Sequence, residues 1–112
     1  MPTIFEPKDL PLDEKIGVKI TTLANQAMLG TDALQVRRIM LNVNSKSESF
    51  DAENMERFVY VISGNGQAKV GSESFPLEAE SVLWLEKSDS FHFETGTSEL
   101  EILLCYAPIG EK

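Results

Sequence analysis

The feature that most limits what this chain can fold into is its rhythm. "GVKITTL", "ALQVRRIMLNVN", "RFVYVIS", "QAKV", "SFPL", "SVLWL", "FHFET" and "ELEILLCY" follow one another, most of them rich in β-branched, aromatic or other apolar residues. Breaks such as "GNG" and "GSES" stand between some of them. Branched and aromatic side chains suit a pleated, half-buried surface, and glycine relieves the backbone where it must turn. Turn signals every ~8–12 residues predict about eight or more short antiparallel strands. In 112 residues an all-β chain of this kind folds as a sandwich or a small barrel. "GNG" and "GSES" read as tight reversals at hairpin spacing.

Helical signal is thin. "TTLANQAMLGTD" supports a turn or two ending at Gly30, and "FDAENMERF" a short stretch capped by Asp51. Neither could build a helical core. Residues 1–15 carry prolines at 2, 7 and 11 and charges of both signs. Proline lacks the backbone donor that regular pairing needs, so an extended N-terminal arm is expected there and a single barrel domain over 16–112. The N-terminus lacks a basic start followed by an apolar run, so no secretory leader is expected. No apolar run approaches the ~20 residues of a membrane helix.

Charge narrows the partners. Ten basic residues against 18 acidic ones give a formal net charge of −8. That balance opposes a nucleic-acid backbone and an anionic membrane surface, and neither is expected as a partner. The one cysteine, Cys105, allows no internal disulfide and no cysteine-based zinc site. A reducing cytoplasm suits it. In the last predicted strand Leu100, Ile102, Leu104 and Tyr106 alternate with Glu99, Glu101, Leu103 and Cys105. The first set should face the core, which makes Cys105 a packed residue rather than a nucleophile.

From Asp51 to Pro108 the spacing resembles a cupin. That family's first motif reads H-x-H, three or four residues, E, six residues, G. Its second reads G, five residues, P-x-G, two residues, H, three residues, N. Gly64 in "VYVISGNG" ends the first; counting back reaches Arg57, Glu53 and Asp51. Fifteen residues forward the second begins at Glu80, with Glu86, Ser88, Phe91 and Thr95 at its later positions. The resemblance implies a cupin-type antiparallel β-barrel, or jelly roll. Of the signature residues only Gly64 matches.

In metal-binding cupins three histidines and a glutamate hold a divalent cation inside the barrel. Here those positions read Asp51, Glu53, Arg57 and Phe91. Phenylalanine has no lone pair to give, and arginine stays protonated. A fixed unit charge ~4 Å from another repels it by about 4 kcal/mol at an effective dielectric near 20, and a divalent ion by about twice that. No metal and no other cofactor is therefore expected. Asp51, Glu53 and Glu56 are hard oxygen donors of the kind that suit calcium or magnesium, but three acids on one loop read more simply as a charged surface.

The alignment points Arg57 into the barrel mouth. Either Asp51 and Glu53 seal it as an internal salt bridge, or it is free to bind an anionic group, with Phe91, Phe93 and Trp84 as apolar walls. Arg37 and Arg38 pose a parallel question: one must face inward on a regular strand, and both faces are apolar. A strand apolar on both faces predicts a covered outer face, hence a homodimer.

Three functions compete. One is a metal-free cupin binding a small polar or anionic molecule. Another is a metal-independent isomerase, epimerase or cyclase with Asp51, Glu53 or Tyr60 as base, Tyr60 being the weakest because its parity turns it outward. The third is an accessory or structural protein similar to ethanolamine-utilisation cupins, on the strength of "EKSDSFHF". The lone histidine, His92, alternates with Phe91 and Phe93, so it is placed on the outside as a surface or dimer-interface residue.

Overall fold

The computed structural model of the chain describes residues 3–30, 34–51 and 55–108. The described residues form eight antiparallel strands: β1 (Leu12–Lys15), β2 (Val18–Ala24), β3 (Gln35–Leu41), β4 (Met55–Val70), β5 (Glu73–Glu78), β6 (Val82–Leu85), β7 (Phe91–Glu94) and β8 (Leu100–Pro108). Among the described residues helix is limited to a 3₁₀ turn at Pro7–Asp9 and to α1 (Gln26–Leu29). Helix α1 is opened by the Asn25 side chain, which accepts from the Met28 amide at 2.9 Å, and closed by Gly30 in the left-handed region. The fold is all-β and curls into the jelly-roll barrel that the strand rhythm predicts.

Strand β4 organises the barrel. Its first half pairs with β8 on one side and β6 on the other; its second half pairs with β5 and β7. One sheet therefore runs β1–β2–β3–β8–β4–β6, and the far end of β4 carries the second. The segment before β4 closes the second sheet. Phe50 and Phe91 exchange backbone hydrogen bonds at 2.7 and 3.0 Å, and the Phe93 amide donates to the buried Ser47 hydroxyl at 2.9 Å.

Here the structure corrects the sequence reading. "GNG" is not a reversal: β4 runs unbroken through Gly64 and Gly66. The two glycines let it bend from one sheet into the other. At Gly64, with φ +82°, an added Cβ would lie 1.8 Å from the Glu99 carbonyl oxygen; at Gly66 it would lie 2.7 Å from that of Glu94. The true reversal is at Gly71, between β4 and β5. Likewise, Leu12–Lys15 of the proline-bearing arm pairs along β2 as an edge strand whose four residues are all exposed. The helical reading of "FDAENMERF" lies partly outside the described residues, and from Met55 onward the chain is strand.

Alternation sets the core. Ile39 and Leu41 of β3, Val59 and Val61 of β4, and Leu100, Ile102, Leu104 and Tyr106 of β8 all point inward, where they meet Ala68, Leu77, Leu85, Phe91 and Phe93. The inward set of β8 is the one that its alternation predicts. Each fully buried aliphatic or aromatic side chain contributes roughly 1.5–3 kcal/mol over its exposed state, so this cluster carries most of the hydrophobic stabilisation.

Candidate functional site

Arg57 enters this apolar interior from β4 and is 0 % exposed. Its partners are peptide carbonyls. Nη1 donates to the Asp51 carbonyl at 2.7 Å; Nη2 donates to those of Glu86, Asp89 and Lys87 at 3.1, 2.8 and 3.4 Å. Its guanidinium carbon lies 5.0 Å from the centre of the Phe91 ring. The turn from Glu86 to Asp89 is preshaped for this. The Asp89 amide donates to the Glu86 carbonyl at 3.0 Å, while the Asp89 carboxylate accepts from the Glu86 amide at 2.8 Å. Nε alone is buried with no hydrogen-bond partner among the described residues.

A buried guanidinium is costly unless its donors are met. Four carbonyl dipoles and an aromatic face meet most of that need, each hydrogen bond to a charged group contributing about 1.5–3 kcal/mol. The Asp51 carboxylate, one of the two expected partners, is not used. Asp51 offers its backbone oxygen while the residue itself is exposed, and Glu53 lies outside the described residues. Arg57 thus pins together the end of the 45–51 segment, the 86–89 turn and Phe91 of β7.

The described residues here do not fit a divalent ion. Of the four ligand positions, that of Arg57 holds a fixed cation whose donors point at carbonyl oxygens, that of Phe91 holds a ring without a lone pair, and Asp51 is exposed. Among the described residues no group of three or more histidine, cysteine, aspartate or glutamate side chains is gathered to hold a metal.

Phe91 and Phe93 both face inward, as expected, in a three-ring cluster with Phe50; Phe50 and Phe91 stack with centres 5.2 Å apart. Trp84 does not join them. Its register opposite Phe58 turns it to the outer face, where it is 54 % exposed and stacks on the Phe58 ring at 6.0 Å. As an apolar wall of the mouth it is therefore set aside. Tyr60 is likewise exposed and pairs with Leu103 of the outer face. His92 is half-buried on the outside of β7, its Nε2 bonded to the Glu94 carboxylate at 2.7 Å. Cys105 is half-buried on the outer face, and burial pushes its thiol up, away from the reactive thiolate.

The structure also decides between the two adjacent arginines. Arg38 points outward and binds Glu101 at 2.6 Å. Arg37 shares the inner face with Ile39 and Leu41, and its guanidinium carbon lies 5.5 Å from the centre of the Tyr106 ring. Tyr106 is the registered neighbour of Arg57 on β8, so one buried ring stands between the two arginines. Arg37 is only half-buried and makes no ion pair with a described residue. It lines a cavity of ≈ 210 Å³ with Pro11, Leu12, Asp13, Ile20 and Thr22. Beside it a smaller hollow of ≈ 60 Å³ shares Asp13 and Ile20 and reaches Lys46 and Glu48 across the open side of the barrel. Sequence reasoning missed this groove, because part of it comes from the edge strand β1.

No protein-family profile matches the chain, and no curated protein matches it in sequence. Solved structures do. A predicted oxalate decarboxylase from Thermotoga maritima superposes with a TM-score of 0.77 at 17 % identity, covering 96 % of this chain and 100 % of that one. The polyketide cyclase RemF from Streptomyces resistomycificus gives 0.77 at 12 % identity, covering 96 % and 80 %. The cupin domain of Schizosaccharomyces pombe Cnp3 gives 0.75 at 8 % identity, covering 94 % and 73 %. These likenesses define the fold: the chain is a cupin-type β-barrel. Among the described residues no helix is long and apolar enough to cross a membrane.

Proposed function

We propose that this chain is a metal-independent cupin-type binding module that takes a small polar or anionic molecule in the barrel mouth. The observation that carries the reading is Arg37: an inward-facing, half-buried guanidinium on a cavity, stacked on Tyr106 and paired with no described carboxylate. An inward arginine of this kind supplies charge and orientation to a ligand. Arg57, Phe91 and Phe93 then form the packed wall behind the site instead of its contact surface. A structure of the same fold is named a polyketide cyclase, so this fold is compatible with action on a small molecule. A thermal-shift screen of small carboxylates, phosphates and sugars tests it. At 100 times its Kd a ligand adds about 2.7 kcal/mol of stability. Hits lost in Arg37→Leu support the reading; hits that persist unchanged in the variant place the ligand elsewhere.

The outer face of the larger sheet supports a homodimer. Val82 and Trp84 of β6, at 63 % and 54 % exposed, continue through Tyr60 and Ile62 of β4 to Leu103 of β8. Arg38 and Glu101 of this face pair with each other, while Glu14, Lys19 and Glu56, which alternate onto the same face, lie off the apolar strip from Val82 to Leu103. Light scattering should give twice the chain mass, and Trp84→Glu should return it to the monomer value. A wild-type monomer at micromolar concentration would remove the homodimer from the proposal.

A further inference from the structure

Three polar groups line the Arg37 cavity without bonding one another. Arg37 is a cation and donates only. Asp13, opposite Ile20 in the β1–β2 register, is an anion and accepts only. The Thr22 hydroxyl, opposite Arg37 in the β2–β3 register, does both. Among the described residues neither the Asp13 carboxylate nor the Thr22 hydroxyl makes a side-chain hydrogen bond, and Asp13 and Arg37 are not within ion-pair distance although both line the ≈ 210 Å³ cavity. At the far end of the groove the charges are matched: Lys15 pairs with Glu48, and Lys46 lies 3.8 Å from Glu94. Lys15 also acts on Asp13 through space, but no hydrogen bond or ion pair with a described residue fills the Asp13 carboxylate, the Thr22 hydroxyl or the Arg37 guanidinium.

From this we infer that the cavity recognises a small monocarboxylate with a hydrogen-bond donor, hydroxyl or ammonium, on the carbon next to the carboxylate. The inference rests on the barrel-mouth reading and names its ligand class. The oxyanion goes to Arg37, which presents a planar fork of donors. The donor goes to Asp13, which accepts from it and would repel a second negative charge. A dianionic phosphate is disfavoured for that reason. Thr22 bridges the two, and Ile20 gives the carbon skeleton an apolar floor. The volume lies below the roughly 300–1,000 Å³ of pockets for drug-sized ligands, so the ligand has only a few heavy atoms.

A three-carbon series tests this on the intact chain, read by the amide resonances of Ile20, Thr22 and Arg37: propionate, lactate, alanine and 1,2-propanediol. Lactate or alanine should bind roughly tenfold or more tighter than propionate and propanediol, one charged hydrogen bond being worth about that ratio. Which of the two binds separates hydroxyl from ammonium. Asp13→Asn should bring the preferred ligand to within about twofold of propionate, and Thr22→Val, which is nearly isosteric, should weaken it several-fold. Arg37→Leu should abolish carboxylate binding. If propionate binds as tightly as lactate and alanine, or Asp13→Asn leaves the preference intact, the donor pairing is wrong. If propanediol perturbs these amides and no carboxylate does, the ligand class is wrong while the barrel-mouth site stands. If no probe of this series and no hit of the wider screen perturbs them, both fall.

Discussion

Arg57 and Arg37 sit on the same inner face, separated by Tyr106, yet they live in opposite environments. Arg57 is closed in by four carbonyl oxygens and the Phe91 ring. Arg37 rests on one ring and otherwise faces a cavity. The difference follows from what the chain packs over each end. Over Arg57 lie the 86–89 turn and the end of the 45–51 segment, whose backbone polar groups need donors as much as the guanidinium needs acceptors. Among the described residues, Arg37 is bordered on its cavity side by Pro11 and the edge strand β1, four exposed residues long. A buried arginine saturated by main chain is an architectural element. One left half-met beside an opening is available to a ligand.

The sharpest way to break this contrast is to remove the sealed cation. Arg57→Leu leaves four carbonyls without their donor and should cost about 3–5 kcal/mol. At roughly 4 °C or more per kcal/mol for a domain of this size, the Tm should fall by more than about 12 °C. Arg57→Lys keeps the charge with fewer donors and should recover only part of the loss. A Leu variant as stable as the wild type would mean that the cage contributes nothing. A somewhat smaller effect is expected from Gly64→Ala, which acts on the bend that brings the sealed end together. The left-handed φ and the 1.8 Å approach to the Glu99 oxygen should cost about 2–4 kcal/mol, measured by urea unfolding. Gly71→Ala, at φ +58° with nothing within 4 Å of the added Cβ, should cost less, since it meets only the backbone strain.

Much of this was legible in the residues. Strand rhythm gives the fold, and counting from Gly64 brings Arg57 and Phe91 to the interior and turns His92 outward. What was hidden has physical causes. The partners of Arg57 are carbonyls, which every residue has and no letter reports. Glycine serves a reversal and a close backbone crossing equally well, so "GNG" reads as a turn when it is a bend. Trp84 follows a strand start that alternation alone does not set; one residue of register moves it from wall to surface. Arg37 and Arg38 lie between two apolar faces, and only the pairing of β3 with β8 assigns them.

On the open side the expected stability change is small. Arg37→Leu gives up one partly exposed cation–π contact, worth about 0.5–1 kcal/mol, and leaves no carbonyl unmet. Unfolding midpoints should therefore shift little while ligand binding is lost. A loss as large as that of Arg57→Leu would show that both arginines are architectural.

The smallest expected effect separates the two regions by pH. The hydrogen bond from His92 holds the Glu94 carboxyl below its ordinary value of 4.5; burial opposes the shift, and the charges of Lys46 and Lys69 add to it in smaller measure. A carboxyl depressed in the folded state contributes stability that is present above its unfolded pKa and is lost as pH falls through the folded one. The pair is partly exposed, so the contribution is below about 1 kcal/mol. Wild type should lose that increment between pH 5 and 3, on the order of the unfolded pKa and below, and Glu94→Gln should not. The Arg57 cage behaves differently, because peptide carbonyls do not titrate in this range. The cost of Arg57→Leu should then be the same at pH 7 and pH 4. Had the Asp51 carboxylate supplied the cage, that cost would shrink as it protonates, so urea midpoints at the two pH values distinguish a carbonyl cage from a salt bridge.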